Sequence, residues 1–326
     1  MRVPTANELR MLFKGRHARR GYYDFVKMTL GVMASVLVLL VFLSNALERF
    51  ELTTYDYRMK FRKKREVNEK IVLVDMGEDS VKRIGRWPWP REWHATMITV
   101  LSRYGAEAVV FDVIFSERSG ELGDGAMEEA MASSGRVYIP YAVEFDRFDK
   151  EKREWNIWNI ISPLDNLSKR SKGEGHITLV PDQDGIIRSI PLIVEHEGRV
   201  FPQLGLKVAC DILGLDVMKY KIIKTPFSRY IKIGGKKENA LYIPVDEKNQ
   251  ILVNWAAPWG EAFKHYSYID TITSYERVLS KNTPHIILEG FKDKICIIGL
   301  TAPGLHDIKP NVLQPAYPAV GTNANI

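Results

Sequence analysis

The hydrophobic pattern opens with an uninterrupted apolar run. Residues 28–46 read MTLGVMASVLVLLVFLSNA, without a charge, and at about 1.5 Å of helical rise per residue they are long enough to cross a hydrocarbon core of roughly 30 Å. The run predicts a spanning helix. A cleaved signal peptide is the competing reading, because Ser44 and Ala46 have the small-x-small form of a cleavage site. Against it stand the long basic leader through Lys27 and a helical pattern that continues past the run. In that continuation Leu47, Phe50, Thr54, Tyr57 and Phe61 repeat at spacings of three and four. Such a stripe suits either a partner helix in a homodimer or the protein's own domain. Residues 47–66 are read as a juxtamembrane helix that joins span and domain as a stiff rod.

After a charged break over residues 62–70, strand-like and helix-like periods alternate. Strand patterns fall at residues 70–75 (KIVLVD), 108–115 (AVVFDVIF), 137–143, 186–195, 251–255 and 295–300 (ICIIGL). Helical spacing falls at 92–104, 125–133 and 204–213. This alternation predicts an α/β domain over residues 67–326, with a mixed or mostly parallel sheet and flanking helices. Residues 145–158, charged and aromatic, read as an exposed excursion. Residues 219–238, basic and poorly periodic, read as an inserted hairpin or loop.

Composition changes little in this outline. Of 326 residues, 45% are hydrophobic and 26% charged, which suits a globular chain with a sizeable core. The net charge of +6 raises the question of nucleic acid, but much of the excess lies in two clusters beside the apolar run. Membrane lipid with anionic headgroups is therefore the expected partner, and nucleic acid is not. Arg16, Arg19, Arg20 and Lys27 precede the run, while Arg49, Arg58, Lys60 and residues 62–65 follow it, so the charge count nearly ties on orientation. Cys210 lies in a helical pattern and Cys296 in a strand pattern. Both read as buried thiols without zinc spacing.

Candidate chemistry gathers at strand ends, where open α/β sheets form ligand crevices. Asp75, Asp112 with Glu117, and Gly299-Leu300-Thr301 stand at three such ends. Asp75 and Asp112 could bind a ligand there or cap the turns that follow. The loop Gly85-Arg86-Trp87-Pro88-Trp89-Pro90-Arg91 is a rigid aromatic segment, and Trp87 and Trp89 could pack as a lid or offer a stacking platform. Pro181-Asp182-Gln183-Asp184-Gly185 has part of a calcium-loop pattern, but Ile193 stands where that loop needs its last acid, and the alternating flanks suit a hairpin. His306-Asp307 follows Gly304 without an accompanying nucleophile, and Asp307 completes the candidate ligand-binding set. No nucleophile elbow, phosphate loop, zinc motif or cyclase carboxylate pair can be defended from spacing. The reading is therefore a non-enzymatic chain without a metal or other cofactor.

Taken in order, several segments resemble the type-two CHASE domain, an extracytoplasmic sensory domain of bacterial cyclases, histidine kinases and related receptors. They are TYDYRMKFR, KIVLVDMGEDSVKRIGRWPWPREWHATMITVLSRYGAEAVVFDVIFSE, GHITLVPDQDGIIRSIPLIVEHEGRVFPQLGLKVAC, ILVNWAAP, KICIIGLTAPGLHDIKP and YPAVGTNANI. The resemblance covers most of residues 48–326. It implies a bacterial inner-membrane protein with its leader (1–27) in the cytoplasm and its main domain outside. It also implies further membrane helices leading to a cytoplasmic output domain, expected beyond Ile326. The implied function is sensing an unidentified small molecule or protein signal. The alternatives are a structural or partner-binding module and, with less support, an extracytoplasmic hydrolase acting through Asp75, Asp112 or His306.

Overall fold

The computed structural model describes residues 25–40, 46–149, 151, 154–235, 240–304 and 308–326. Residues 1–24 of the basic leader, residues 41–45 of the apolar run, and His306 with Asp307 lie outside that set. The chain divides into two units, residues 1–62 and 63–326.

In the first unit residues 25–40 are helical, and α1 covers Ala46–Phe61. Arg58 and Lys60 occupy the last turn of α1, where cations oppose the helix dipole. Phe50, Tyr57 and Phe61 are exposed, and the Tyr57 and Phe61 rings stack at 6.2 Å. Helix α1 ends at Phe61, short of the expected boundary at residue 66. Residues 63–68 belong to no helix or strand, and Arg65 N–H donates to Ala256 O at 3.3 Å within the second unit.

The second unit begins with β1 (Ile71–Met76), α2 (Glu78–Ile84), α3 (Arg91–Arg103), β2 (Ala108–Phe111), α4 (Glu121–Ser134), β3 (Val137–Asp149), β4 (Glu154–Ile161) and β5 (Gly173–His176). It continues through β6 (Ser189–Pro191), β7 (Ile193–His196), β8 (Arg199–Pro202), α5 (Leu204–Ile212), β9 (Tyr220–Lys224), β10 (Arg229–Ile233), β11 (Leu241–Val245) and β12 (Gln250–Leu252). Strand β13 (Lys264–Ser267), α6 (Tyr268–Leu279) and β14 (Ile295–Leu300) return to the main sheet, followed by β15 (Ile308–Lys309), β16 (Tyr317–Pro318) and α7 (Val320–Ala324).

The main sheet has the order β13-β1-β14-β2-β3-β4, with β5 also on β3. All its pairings are parallel except β3 with β4. Strands β1 (IVLVDM) and β14 (ICIIGL) are near-continuously apolar because both of their faces are covered. On one face Val72, Val74, Val109, Phe111, Cys296 and Ile298 meet α3, α4 and α6, which connect parallel strands of the sheet. Helix α3 follows Pro90 and buries His94, Met97, Ile98 and Leu101, a spacing of three, one and three that makes one helical stripe. On the other face Leu73, Val110, Tyr138 and Ile297 meet Leu204 and Val208 of α5 and Val320 and Ala324 of α7.

The mixed α/β fold with a mostly parallel sheet is therefore as the sequence predicts, with local departures. Strand β13 and helix α6 carry no prediction. Residues 145–158 fall on the arms of β3 and β4, where Trp155 and Ile157 are buried while Asn156 and Trp158 are exposed. Within residues 219–238 the expected hairpin is present as β9 with β10, and β11 extends it into an antiparallel meander whose Ile231 and Ile233 pack with Leu206 and Cys210 of α5. The flanks of residues 181–185 are not a hairpin. Gly185, at φ +82°, closes a turn onto Asp182 O, and the buried Arg188 guanidinium takes Asp182 at 2.9 Å and Asp184 at 2.7 Å. Both carboxylates thus serve an internal cation, and that contact holds Asp184 below the usual carboxylate range. Cys210 and Cys296 are free and buried, and burial pushes the Cys210 thiol up to about 11.

Candidate functional site at the carboxyl edge of the sheet

Parallel pairing brings the ends of β13, β1, β14 and β2 to one edge. Asp75 stands in register with Ser267 on β13 and Gly299 on β14, and Asp112 N–H donates to Ile298 O at 2.8 Å. Side chains alternate across a strand, so Asp75 points to the face of Leu73, the side covered by α7.

Two polar groups form there. In the first, Asp75 Oδ2 lies 2.7 Å from His265 Nδ1, and the Trp259 ring meets the imidazole edge-on at 4.7 Å. Asp75 Oδ1 is buried and takes no hydrogen bond among the described residues. Beside the pair, Ser267 Oγ donates to Asp79 Oδ2 and accepts Asp270 N–H, which caps α6.

In the second group, Asn323 Nδ2 of α7 donates to Asp112 Oδ1 at 2.8 Å, and its Oδ1 accepts from Gln203 Nε2. Gln203 Oε1 accepts Leu206 N–H at 2.9 Å as the cap of α5. Asp112, α7 and α5 are thereby joined in one hydrogen-bonded line, in which Gln203 and Asn323 are both buried. Close packing fixes α7 between the two groups. A Cβ on Gly299 would lie 2.6 Å from Val320, and one on Gly321 would lie 2.5 Å from Tyr317 and 2.7 Å from Trp259.

Thr301 belongs to the same edge, since its N–H donates to Met76 O at 3.2 Å. Its hydroxyl lies 3.6 Å from the position a Cβ on Gly77 would take. Trp87 and Trp89 do not join it. Trp89 is buried on the opposite face, donates Nε1–H to Gly85 O at 2.8 Å, and packs on Tyr268 at 5.2 Å, while Trp87 lies edge-on to Trp89 at 5.5 Å. Asp307 is outside the described residues.

The partners of Asp75 and Asp112, namely His265, Asn323 and Gln203, went unseen in the sequence reading. The alternation Lys264-His265-Tyr266-Ser267 before a helix capped by Ser267 is a short strand signal that could have revealed the first.

Chemically, the Asp75–His265 pair sets a carboxylate against an imidazole in hydrogen-bond contact, and the Asp112–Asn323–Gln203 line ties the end of β2 to α7 and α5. Ser267 is committed to Asp79 and to a helix cap. Among the described residues no group of three or more His, Cys, Asp or Glu side chains could hold a metal. The nearby His94 lies on the opposite face, where burial, then the Arg91 charge, lowers its pKa to about 3 and keeps it neutral. Its Nδ1 lies 3.0 Å from Tyr268 Oη.

A sequence profile of the CHASE2 domain matches residues 33–326. No curated protein sequence and no solved structure matches the chain. The profile spans both polar groups, α7, and the strands that position them, so the chain belongs to the CHASE2 family, the extracellular sensory domains of bacterial signalling receptors.

Proposed function

We propose that this chain is the input module of a membrane-anchored bacterial receptor. It would sense its signal outside the cell and relay it through membrane helices to a cytoplasmic cyclase or kinase output. The match over residues 33–326 carries this reading. No helix among the described residues is long and apolar enough to cross a membrane. Supporting an anchor, Met28, Leu30, Val32, Met33, Leu37 and Leu40 are all more than half exposed along helical residues 25–40. In that segment Thr29 Oγ1 donates to Phe25 O at 2.9 Å and Ser35 Oγ to Gly31 O at 3.0 Å. Lipid demands such internal satisfaction of polar groups. The segment accounts for about 24 Å of helix, and the expected span continues into residues 41–45.

Ligand capture at the sheet's carboxyl edge would act on α7 through Asp112 and Asn323. It could bias a two-state dimer only by the difference of its affinity for the two states. The exposed stripe of Phe50, Tyr57 and Phe61 on α1 is the proposed homodimer seam. Alkaline phosphatase fused after Ile326 should be active and β-galactosidase inactive; the reverse pattern would refute the outward orientation. Cysteines at Phe50 and Tyr57 should crosslink between chains in membranes. Failure at both positions would remove the dimer seam.

A further inference from the structure

A second pocket, away from the polar edge, has its own chemistry. Strands β3 and β4 pair antiparallel, but the register steps from Glu144↔Asn159 to Phe145↔Ile157. Trp158 is therefore the extra residue of a β-bulge, a device that re-aims a side chain. On the same strand Trp155 and Ile157 turn inward. Trp155 meets Phe145 at 4.4 Å and Phe148 at 5.2 Å, in a cluster with Ile157. Trp158 is 67% exposed, and it is the one exposed indole of the seven in the chain. The ring stands at a pocket of about 660 Å³, lined also by Ile114, Phe145, Thr178, Glu144 and Lys309. At the rim Glu144 Oε2 accepts from Asn159 Nδ2 at 2.8 Å.

We infer that this pocket binds a saccharide, with a sugar ring stacked on Trp158. A sugar ring has C–H faces that suit an indole and a perimeter of hydroxyls that suits a carboxylate, an amide and an ammonium. A plain hydrocarbon would set apolar surface against the polar lining of Glu144, Thr178 and Lys309. A small inorganic ion would leave the indole face wet. The pocket is concave and has polar groups at its rim, unlike the broad apolar patch of a protein or membrane contact. The volume lies within the range of small-molecule sites, about 300–1,000 Å³. The inference does not depend on the receptor reading, because binding can be measured without orientation or signalling.

Calorimetry on the full chain in nanodiscs tests it, with glucose, N-acetylglucosamine, maltose and chitobiose as probes. Monosaccharide binding would point to free sugar, and binding confined to the disaccharides to an envelope glycan. At least one probe should bind saturably. Trp158→Ala should weaken binding about ten-fold or more while the melting temperature is kept, and Trp158→Phe should retain most of it. Absence of saturable binding by every probe, or parental affinity in Trp158→Ala, would overturn the assignment. So would a blue shift of Trp158 emission with phosphatidylethanolamine–phosphatidylglycerol vesicles but not with sugar, since the indole would then be a membrane contact.

Discussion

Replacing Gly299 by alanine tests the docking of α7 on the sheet. In an open strand position this change would stabilise the protein by about 0.5–1 kcal/mol, because alanine loses less backbone freedom on folding. Here the new methyl would lie 2.6 Å from both Cβ and Cγ2 of Val320 and 3.3 Å from Asp112 Cβ. Carbon atoms pack at about 3.5–4.0 Å, so α7 must withdraw by roughly 1 Å. Overpacking of this kind costs about 1–3 kcal/mol, and withdrawal also stretches the 2.8 Å bond from Asn323 to Asp112. The two terms leave a net loss of about 2 kcal/mol, or roughly 4–8 °C in Tm for a unit of this size. Urea denaturation followed by circular dichroism should show the loss, and the amides of α7 should exchange faster. Val320→Gly in the same background should recover part of it, with a coupling above about 1 kcal/mol. A Gly299→Ala protein as stable as its parent, or more so, would refute the close contact of α7 with β14.

Three further outcomes follow from the same geometry. Asn323→Ala leaves the Gln203 amide and the Asp112 carboxylate each short of a partner and should cost about 2–4 kcal/mol in urea denaturation. Asn323→Asp, almost the same size, should be no better tolerated at neutral pH because it sets a second carboxylate against Asp112. Parental stability in that variant would show that volume matters and hydrogen bonding does not. His94 and His176 both have folded pKa values lowered to about 3 by burial, from 6.5. Their neutral forms therefore favour folding fully above pH 6.5, and that contribution is lost as pH falls from 6.5 toward 3. Each should remove up to about 2 kcal/mol between pH 6.5 and 5, a window above the ordinary carboxylate range. Stability that is flat or rising over it would sink the argument. Asp182→Asn with Asp184→Asn removes both carboxylates from the buried Arg188 guanidinium, whose side chain is 3% exposed. Because the two acids are themselves 26% and 44% exposed, the loss should be about 2–3 kcal/mol rather than that of a fully buried pair. A melting temperature equal to the parent's would show that the loop does not need this contact.

Much of the fold is legible in local pattern. Strand β14 is recognisable in ICIIGL, and β1, α3 and α5 differ from their expected bounds by one residue at each end or at one end only. Each has a long buried stripe or an unbroken β-branched run, so sequence neighbours share one environment. Strand β13 has four residues, of which one is buried, too few for periodicity to announce it. Trp155 and Trp158 lie three residues apart in one charged stretch, yet one is buried and the other exposed. The bulge that separates them is a property of pairing with β3.

The sequence alone determined the α/β class, the apolar run at residues 28–46, the resemblance to CHASE2, and the gathering of Asp75, Asp112 and Thr301 at strand ends, because these depend on order and on residues close along the chain. Tertiary structure alone decided which groups those residues meet. Asp75 faces His265 across 190 positions and Asp112 faces Asn323 across 211, separations over which composition and spacing carry no information about contact. It also placed Trp87 and Trp89 on the opposite face of the sheet, since the side a loop packs against is fixed by the path of the next helix.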